Sequence, residues 1–126
     1  MPAFWQTVLP VALGGSLGAL ARLAVYHLAA GPTRTHGPWP TMLINLIGCL
    51  ALGLFLGWAT RRPDLDERMK AFLTVGVLGA FTTFSTYAAD ALKLIHEQRW
   101  GIALIYITAS SALGLALCAG GYALAR

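Results

Sequence analysis

The run Gly79-Ala80-Phe81-Thr82-Thr83-Phe84-Ser85-Thr86-Tyr87 governs the interpretation of this chain, because it places four Ser and Thr hydroxyls and three aromatic rings inside an apolar segment. In water such a run would form an ordinary turn or strand. In the hydrocarbon of a bilayer, unpaired polar groups are costly and usually functional. Its meaning therefore depends on whether the flanking sequence belongs to a membrane protein.

The composition is that of an integral membrane protein. Of the 126 residues, 57% are hydrophobic and only 11% are charged, with a mean hydropathy of +0.66, so too few charges remain to cover a soluble domain. Four apolar stretches, at about 4–28, 39–60, 69–92 and 100–124, are each long enough for a helix to cross some 30 Å of hydrocarbon. The prediction is an all-α integral membrane protein, with one four-helix transmembrane domain spanning residues 1–126.

Several other classes of protein do not fit. The N-terminus lacks the Lys/Arg region of a signal peptide, so we expect the first span to be retained. Cys49 and Cys118 lie in apolar spans without a neighbouring Cys or His at a metal-binding spacing. The net charge of +4 comes from basic residues in loops beside lipid headgroups, which argues against nucleic acid as a partner. No acid, base and nucleophile set suggests an enzyme.

The first and second spans each combine small residues with one strong polar side chain. Gly14 and Gly18 form a GxxxG pair that favours close helix packing, and Arg22 follows one turn later on the same face. Asn45 lies one turn into the apolar part of the second span. Arg22 either extends to the interface or serves an anion, and Asn45 either joins helices by hydrogen bonding or lines a pore. The sequence leaves both questions open.

The third span changes character at Gly79. The segment before it is an ordinary apolar helix, whereas the run after it is rich in β-branched, hydroxyl-bearing and aromatic residues, which are middling helix formers. We expect a break at mid-membrane, where unwound backbone survives only if it lines a cavity or binds an ion. The alternative is an unbroken helix whose Ser and Thr side chains bond to the preceding turn. Asp90 and Lys93 are spaced to form an ion pair near the end of the span.

The fourth span carries a stripe of polar and small residues with a spacing of four: Tyr106, Ser110, Gly114 and Cys118. The stripe predicts either a track for a small solute or a helix-packing face, and the pattern by itself favours packing.

The basic residues are divided almost evenly between the two sides of the membrane. One side receives Arg22, Arg34, Lys93 and Arg99. The other receives Arg61, Arg62, Arg68, Lys70 and Arg126. Because the positive-inside rule then hardly selects an orientation, we expect insertion both ways. The natural assembly is an antiparallel homodimer about a two-fold axis in the membrane plane.

Three motifs resemble those of one family, the small bacterial fluoride channels (Fluc, also called CrcB). The resemblance extends over the whole chain in length, helix order and helix number, and the third motif is the most specific. The motifs are Gly14-Gly15-x-x-Gly18-Ala19-x-x-Arg22, Asn45-Leu46-x-Gly48 and Gly79-x-x-Thr82-Thr83-Phe84-Ser85-Thr86.

The resemblance implies a dual-topology homodimer in the bacterial inner membrane, with two antiparallel pores that pass fluoride out of the cytoplasm by electrodiffusion. It further implies a structural sodium ion on the dimer axis, bound by the backbone carbonyls of Gly79 and Thr82 from both chains. Arg22 would supply charge at the vestibule. The pore residues that it implies are Asn45, Phe84, Tyr87, Tyr106 and Ser110. The hydroxyls of Thr83, Ser85 and Thr86 are further candidates, because they are donors next to Phe84.

The chemistry of these residues suits fluoride, a small and strongly hydrated anion whose water must be replaced by N–H and O–H donors or by the positive edges of rings. Tyr87 departs from the resemblance, which expects Phe there, although a Tyr ring keeps the same positive edge. Gly114 and Cys118 do not continue the polar track with hydroxyls.

Two alternatives remain at this point. A small multidrug antiporter shares the four-helix, dual-topology plan, but it needs a carboxylate deep in the membrane, and Asp90 lies near a span end. A non-transporting membrane subunit would explain the glycine faces but not the central cluster of hydroxyls and rings.

Overall fold

The computed structural model describes residues 3–30 and 37–126. The linker at 31–36, which includes Arg34 of the charge comparison, lies outside the described residues, as do residues 1 and 2. Within the described ranges the chain is helical, without strands. Its elements are α1 (Phe4–Ala30), α2 (Trp39–Ala59), α3 (Glu67–Ala71), a π-helical segment (Phe72–Leu78), α4 (Gly79–Phe81), α5 (Phe84–His96) and α6 (Trp100–Ala125).

Four helical stretches in the described part of the chain are long and apolar enough to cross a membrane: α1, α2, the succession from α3 to α5, and α6. The 27 residues of α1 span about 40 Å, more than the roughly 30 Å of a hydrocarbon core. The third stretch, Glu67–His96, is longer than the predicted span at 69–92 because its charged ends continue the helix beyond the apolar part. Large side chains such as Leu104 are exposed (63%), as expected for surfaces that meet lipid.

Helices α2 and α6 pack closely along a seam of glycines. A Cβ at Gly53 would overlap the carbonyl oxygen of Cys118, and a Cβ at Gly57 would overlap that of Tyr122. Because both contact positions advance by four residues along their chains, the two helices run in the same direction. Gly53 and Gly57, which have GxxxG spacing in the second span, therefore form a packing face, as such pairs do in membrane helices.

Helix α1 packs in the same way against the π-helical segment and α4. A Cβ at Gly14 would lie 2.5 Å from the carbonyl oxygen of Phe72, and one at Gly18 would overlap that of Val77. These contacts confirm that the small-residue face of the first span serves close backbone approach. They also fix the first half of the third span against α1.

The third span has extended backbone at two residues, between α4 and α5. Thr82 has φ −77° and ψ 158°, and Thr83 has φ −151° and ψ 115°. β-Branched residues adopt such dihedrals readily, and Thr is also a good N-cap. The Thr83 hydroxyl caps α5 by accepting a hydrogen bond from the Thr86 N–H at 3.3 Å. A helix C-terminus and a helix N-terminus therefore lie on either side of Thr82-Thr83.

Candidate functional site

Asn45 binds the backbone of Thr83 from α2. Its Oδ1 accepts the Thr83 N–H at 2.8 Å, and its Nδ2 donates to the Thr83 carbonyl at 3.0 Å. This paired contact resembles the way a neighbouring β-strand would satisfy one residue. Of the two roles that the sequence left open, joining helices by hydrogen bonding is the one that the structure contains. One N–H of the Asn45 amide has no partner among residues 3–30 and 37–126.

Arg22 reaches the same place from α1. Its Nη1 donates to the carbonyl oxygen of Thr82 at 3.4 Å, and its side chain is half-buried. The guanidinium thus contacts the extended pair rather than only extending to the membrane interface. Two spans, α1 and α2, therefore direct polar groups at two consecutive residues of the third.

Two backbone carbonyls here lack the donors that an unbroken helix would give them. In an α-helix the N–H of residue i bonds to the carbonyl of residue i−4. In an unbroken helix the Thr83 N–H would therefore donate to the Gly79 carbonyl, and the Thr86 N–H would donate to the Thr82 carbonyl. The Thr83 N–H instead bonds to Asn45, and the Thr86 N–H bonds to the Thr83 hydroxyl. The Gly79 and Thr82 oxygens, which the resemblance assigns to sodium, are left available, apart from the long contact between Arg22 and Thr82.

The hydroxyls of the run separate into two groups. The Thr83 hydroxyl donates to Thr86 Oγ1 at 3.1 Å and lies 3.4 Å from Ser85 Oγ, so these three gather at the start of α5. The Thr82 hydroxyl instead donates back to the Leu78 carbonyl at 2.9 Å, as the unbroken-helix alternative expected of all of them. Its methyl group occupies the space over Gly48, where a Cβ would overlap it.

The aromatic residues form a column from α5 to α6. The ring centroids of Phe84 and Tyr87 are 5.5 Å apart, those of Tyr87 and Tyr106 are 5.3 Å apart, and Trp39 meets Tyr106 edge-on at 6.4 Å. The Tyr87 hydroxyl donates to the Ile107 carbonyl at 3.4 Å. Phe84, at the other end of the column, is 80% exposed.

A groove runs beside this column. Asn45, Phe84, Tyr87 and Ser110 are among the residues that line it. The Ser110 Oγ is buried and has no hydrogen-bond partner among the described residues. Buried hydroxyls are normally paired, so an unpaired one calls for an explanation.

The four-residue stripe of α6 divides between two surfaces. Ser110 and Gly114 line the groove, and Tyr106 belongs to the ring column. The backbone of Cys118 packs against Gly53 of α2. The packing interpretation is therefore confirmed at Cys118, and a solute track along the groove-lining part stays a prediction.

The sequence did not predict a polar cluster in which all four spans meet. The Thr41 hydroxyl donates to Asp90 Oδ2 at 2.6 Å, and the Tyr106 hydroxyl donates to the same oxygen at 3.5 Å. Because the only proton of Thr41 goes to Asp90, the Tyr26 hydroxyl 2.8 Å away must be the donor to Thr41 Oγ1. Helical spacing could have indicated this cluster. Thr41 lies four residues before Asn45 and Asp90 lies three residues after Tyr87, so each shares a helix face with a predicted site residue.

The predicted ion pair between Asp90 and Lys93 is wrong. Asp90 faces inward and its carboxylate is held by hydroxyls, whereas Lys93 lies 4.0 Å from Glu97 at the exposed end of α5. The spacing along the helix was suitable, and Asp90 and Lys93 line one cavity, but the hydroxyls of Thr41 and Tyr106 bind the Asp90 carboxylate instead.

Comparison with known sequences covers nearly the whole chain. Residues 9–122, which contain every site residue discussed above, match the sequence model of the family described as CrcB-like protein, Camphor Resistance (CrcB). The chain belongs to the CrcB family. This confirms the resemblance drawn from the three motifs.

Curated relatives are similar to this chain over most of their length. The fluoride-specific ion channel FluC of Koribacter versatilis is 39% identical over 116 residues, 92% of both chains. The FluC of a Methylobacterium species is 41% identical over 120 residues, 94% of both chains. That of Maridesulfovibrio salexigens is 38% identical over 116 residues, 92% of both. With the four apolar helices, these matches make this chain a multi-pass membrane protein.

Proposed function

We propose that this chain is a fluoride-selective channel that exports cytoplasmic fluoride by passive electrodiffusion. The observation that carries the proposal is the groove in which the buried, unpartnered Ser110 hydroxyl lies beside a column of rings and the Asn45 amide. The Ser110 hydroxyl and the Asn45 amide can donate to an anion, and the rings can present their positive edges, which is what a dehydrated anion requires. The names of the relatives, fluoride-specific ion channels, support the choice of anion.

Each part of the groove supplies one kind of contact to the ion. The Ser110 hydroxyl and the second N–H of Asn45 are donors, and Phe84 and Tyr87 present ring edges. Because the Tyr87 hydroxyl is directed at the Ile107 carbonyl, the ring can serve as the Phe that the resemblance expects. Tyr106 is fully buried next to Tyr87, with ring centroids 5.3 Å apart, so we propose that it supports the path from behind the Tyr87 ring.

The helix ends at Thr82-Thr83 give the site its electrostatics. The start of α5 carries the positive end of a helix dipole together with the hydroxyls of Thr83, Ser85 and Thr86, which favours an anion. The end of α4 presents carbonyls, which favour a cation. In other membrane proteins with discontinuous helices, the N-terminal end of a half-helix binds anionic groups and the C-terminal end binds cations. We place this interruption at mid-membrane.

The available carbonyls fit a structural sodium ion. The Gly79 and Thr82 oxygens lack their helical donors, and carbonyl oxygens can replace the water shell of an alkali cation. The Gly79 and Thr82 oxygens of one chain are two ligands, so we expect a second copy to complete the site. Sodium held there would add fixed positive charge near the anion path, with Arg22 adding more through its position at Thr82.

We propose that the second copy is inserted in the opposite orientation, in the bacterial inner membrane. Two observations support this antiparallel homodimer. The charge comparison gives little preference between orientations, and the Phe84 ring at the groove is 80% exposed in the single chain. A two-fold axis in the membrane plane would bring the Gly79 and Thr82 carbonyls of both copies together and would yield two pores.

The test is anion release from liposomes that contain the purified protein. We expect rapid fluoride efflux, measured with a fluoride electrode, and no chloride efflux. Efflux no faster than from protein-free liposomes would contradict the channel proposal and favour the non-transporting subunit. Proton-coupled uptake of a cationic drug would instead favour the antiporter.

A further inference from the structure

We infer that Asn45 creates the cation site by withdrawing the Thr83 N–H from the Gly79 carbonyl. The residue is then a positioning residue for sodium, in addition to any contact it makes with fluoride. The inference rests on the sodium site of the proposed function and explains how the Gly79 oxygen becomes available.

The first step is the competition for one proton. In a membrane span every backbone N–H needs a partner inside the protein, because hydrocarbon offers none. The Thr83 N–H can bond to either of two acceptors. In an unbroken helix the acceptor would be the Gly79 carbonyl, and in this structure it is Asn45 Oδ1, 2.8 Å away. The Gly79 oxygen is available to a cation only when the Thr83 N–H donates its hydrogen bond to Asn45.

The second step is why the side chain is Asn. An extended Thr83 exposes both its N–H and its carbonyl, and the amide of Asn45 offers one acceptor and one donor at matching positions, 2.8 and 3.0 Å away. An apolar residue offers neither group. Gly48, one turn along the same face of α2, leaves room for the Thr82 methyl group. Asn45 and Gly48 thus hold Thr82-Thr83 in its extended form.

The third step is the state that would replace it. Without the Asn45 amide, extended Thr83 would leave its backbone N–H unpaired in an apolar region, at a cost in free energy, since hydrocarbon offers no replacement. Helical dihedrals at Thr82 and Thr83 would relieve this cost by returning the N–H to Gly79. The oxygen that sodium needs would then be occupied.

The experiment measures thermal unfolding of the full-length protein in detergent, in sodium chloride and in N-methylglucamine chloride of equal ionic strength. A ligand that binds only the folded state raises the midpoint temperature. We expect sodium to raise the midpoint of the wild-type protein and to have no effect on Asn45→Leu. Thr41→Val is the matched control, because it also removes a hydrogen bond between spans. It should lower the midpoint in both salts and keep the sodium shift.

Asn45→Asp separates the two roles of the residue and covers the case in which Asn45→Leu does not fold. A carboxylate keeps an acceptor for the Thr83 N–H, so the sodium shift should persist, but its second oxygen faces the Thr83 carbonyl oxygen, so the midpoint should be lower in both salts. Fluoride efflux should fall because the donor is replaced by a negative charge. Loss of the sodium shift in Asn45→Asp, or its persistence in folded Asn45→Leu, would overturn the inference alone. Absence of a shift in the wild-type protein would overturn the sodium site and this inference together, and the efflux assay would still judge the channel.

Discussion

The Phe84 side chain is highly exposed and lies beside the polar groups of the groove. Its ring is 80% exposed, stacks on Tyr87 at 5.5 Å, and borders both the groove and the extended pair. Such exposure means that little packing within the chain depends on it. Its effects on stability and on transport should therefore separate.

We expect Phe84→Ile to reduce fluoride efflux sharply while the dimer and the unfolding midpoint change little, because an aliphatic side chain lacks the positive ring edge. Efflux from liposomes and size-exclusion chromatography measure the two properties. Phe4→Ile, which alters another exposed ring (71%) far from the groove in sequence, is the control. Normal efflux in Phe84→Ile would remove Phe84 from the path.

Ser110 allows a second separation of stability from function. A buried hydroxyl without a partner costs about 1–3 kcal/mol, so Ser110→Ala should leave the protein equally stable or more stable, and its efflux should nevertheless fall. Thermal unfolding and the electrode assay test both halves of the prediction. Ser16→Ala is the control, since Ser16 is exposed and bonds only to its own helix at the Ala12 carbonyl. Reduced stability with unchanged efflux would make Ser110 a packing residue.

Among the helices, α2 and α6 approach so closely that a substitution at their seam should have a clear effect on stability. A Cβ at Gly53 would overlap the backbone of Cys118, which cannot rotate away. By contrast, a Cβ at Gly120 meets nothing within 4 Å. The two glycines therefore form a matched pair for testing whether close approach stabilises the fold.

We expect Gly53→Ala to lower the free energy of unfolding by about 1–3 kcal/mol, the usual cost of overpacking, and Gly120→Ala to change it little. Thermal or denaturant unfolding in detergent would provide the comparison. Equal stability of the two variants would contradict the backbone contact between α2 and α6.

In the third span, local sequence predicted a change of backbone conformation but not the hydrogen bonds that accompany it. The Thr and Ser content of the run predicted a departure from ordinary helix near Gly79, and the extended dihedrals occur at Thr82 and Thr83 within it. The positions of the donors that compete for these residues could not be predicted, because Asn45 is 38 positions away from Thr83. Hydrogen bonds at that separation depend on how spans pack, which local propensity does not encode.

For the molecule as a whole, orientation in the membrane is the property on which the dimer depends. Basic residues number four on one side and five on the other, so we expect both orientations in one membrane. A tag placed at either terminus should be accessible to protease from both sides of the membrane, each in a fraction of the molecules. Protection of all tags on one side would exclude the antiparallel dimer. A variant with added Lys residues in one loop is the control, and it should populate a single orientation.

The sequence alone determined the four apolar helices, the family and the residue types available to an anion, because hydropathy, length and short motifs are local properties. The packing of the helices was needed to show that Asn45 and Arg22 meet at Thr82-Thr83, that Ser110 is left unpaired, and that Asp90 binds Thr41 rather than Lys93. Each of these contacts depends on which side of a helix faces its neighbour, and the glycine contacts between the helices fix that choice.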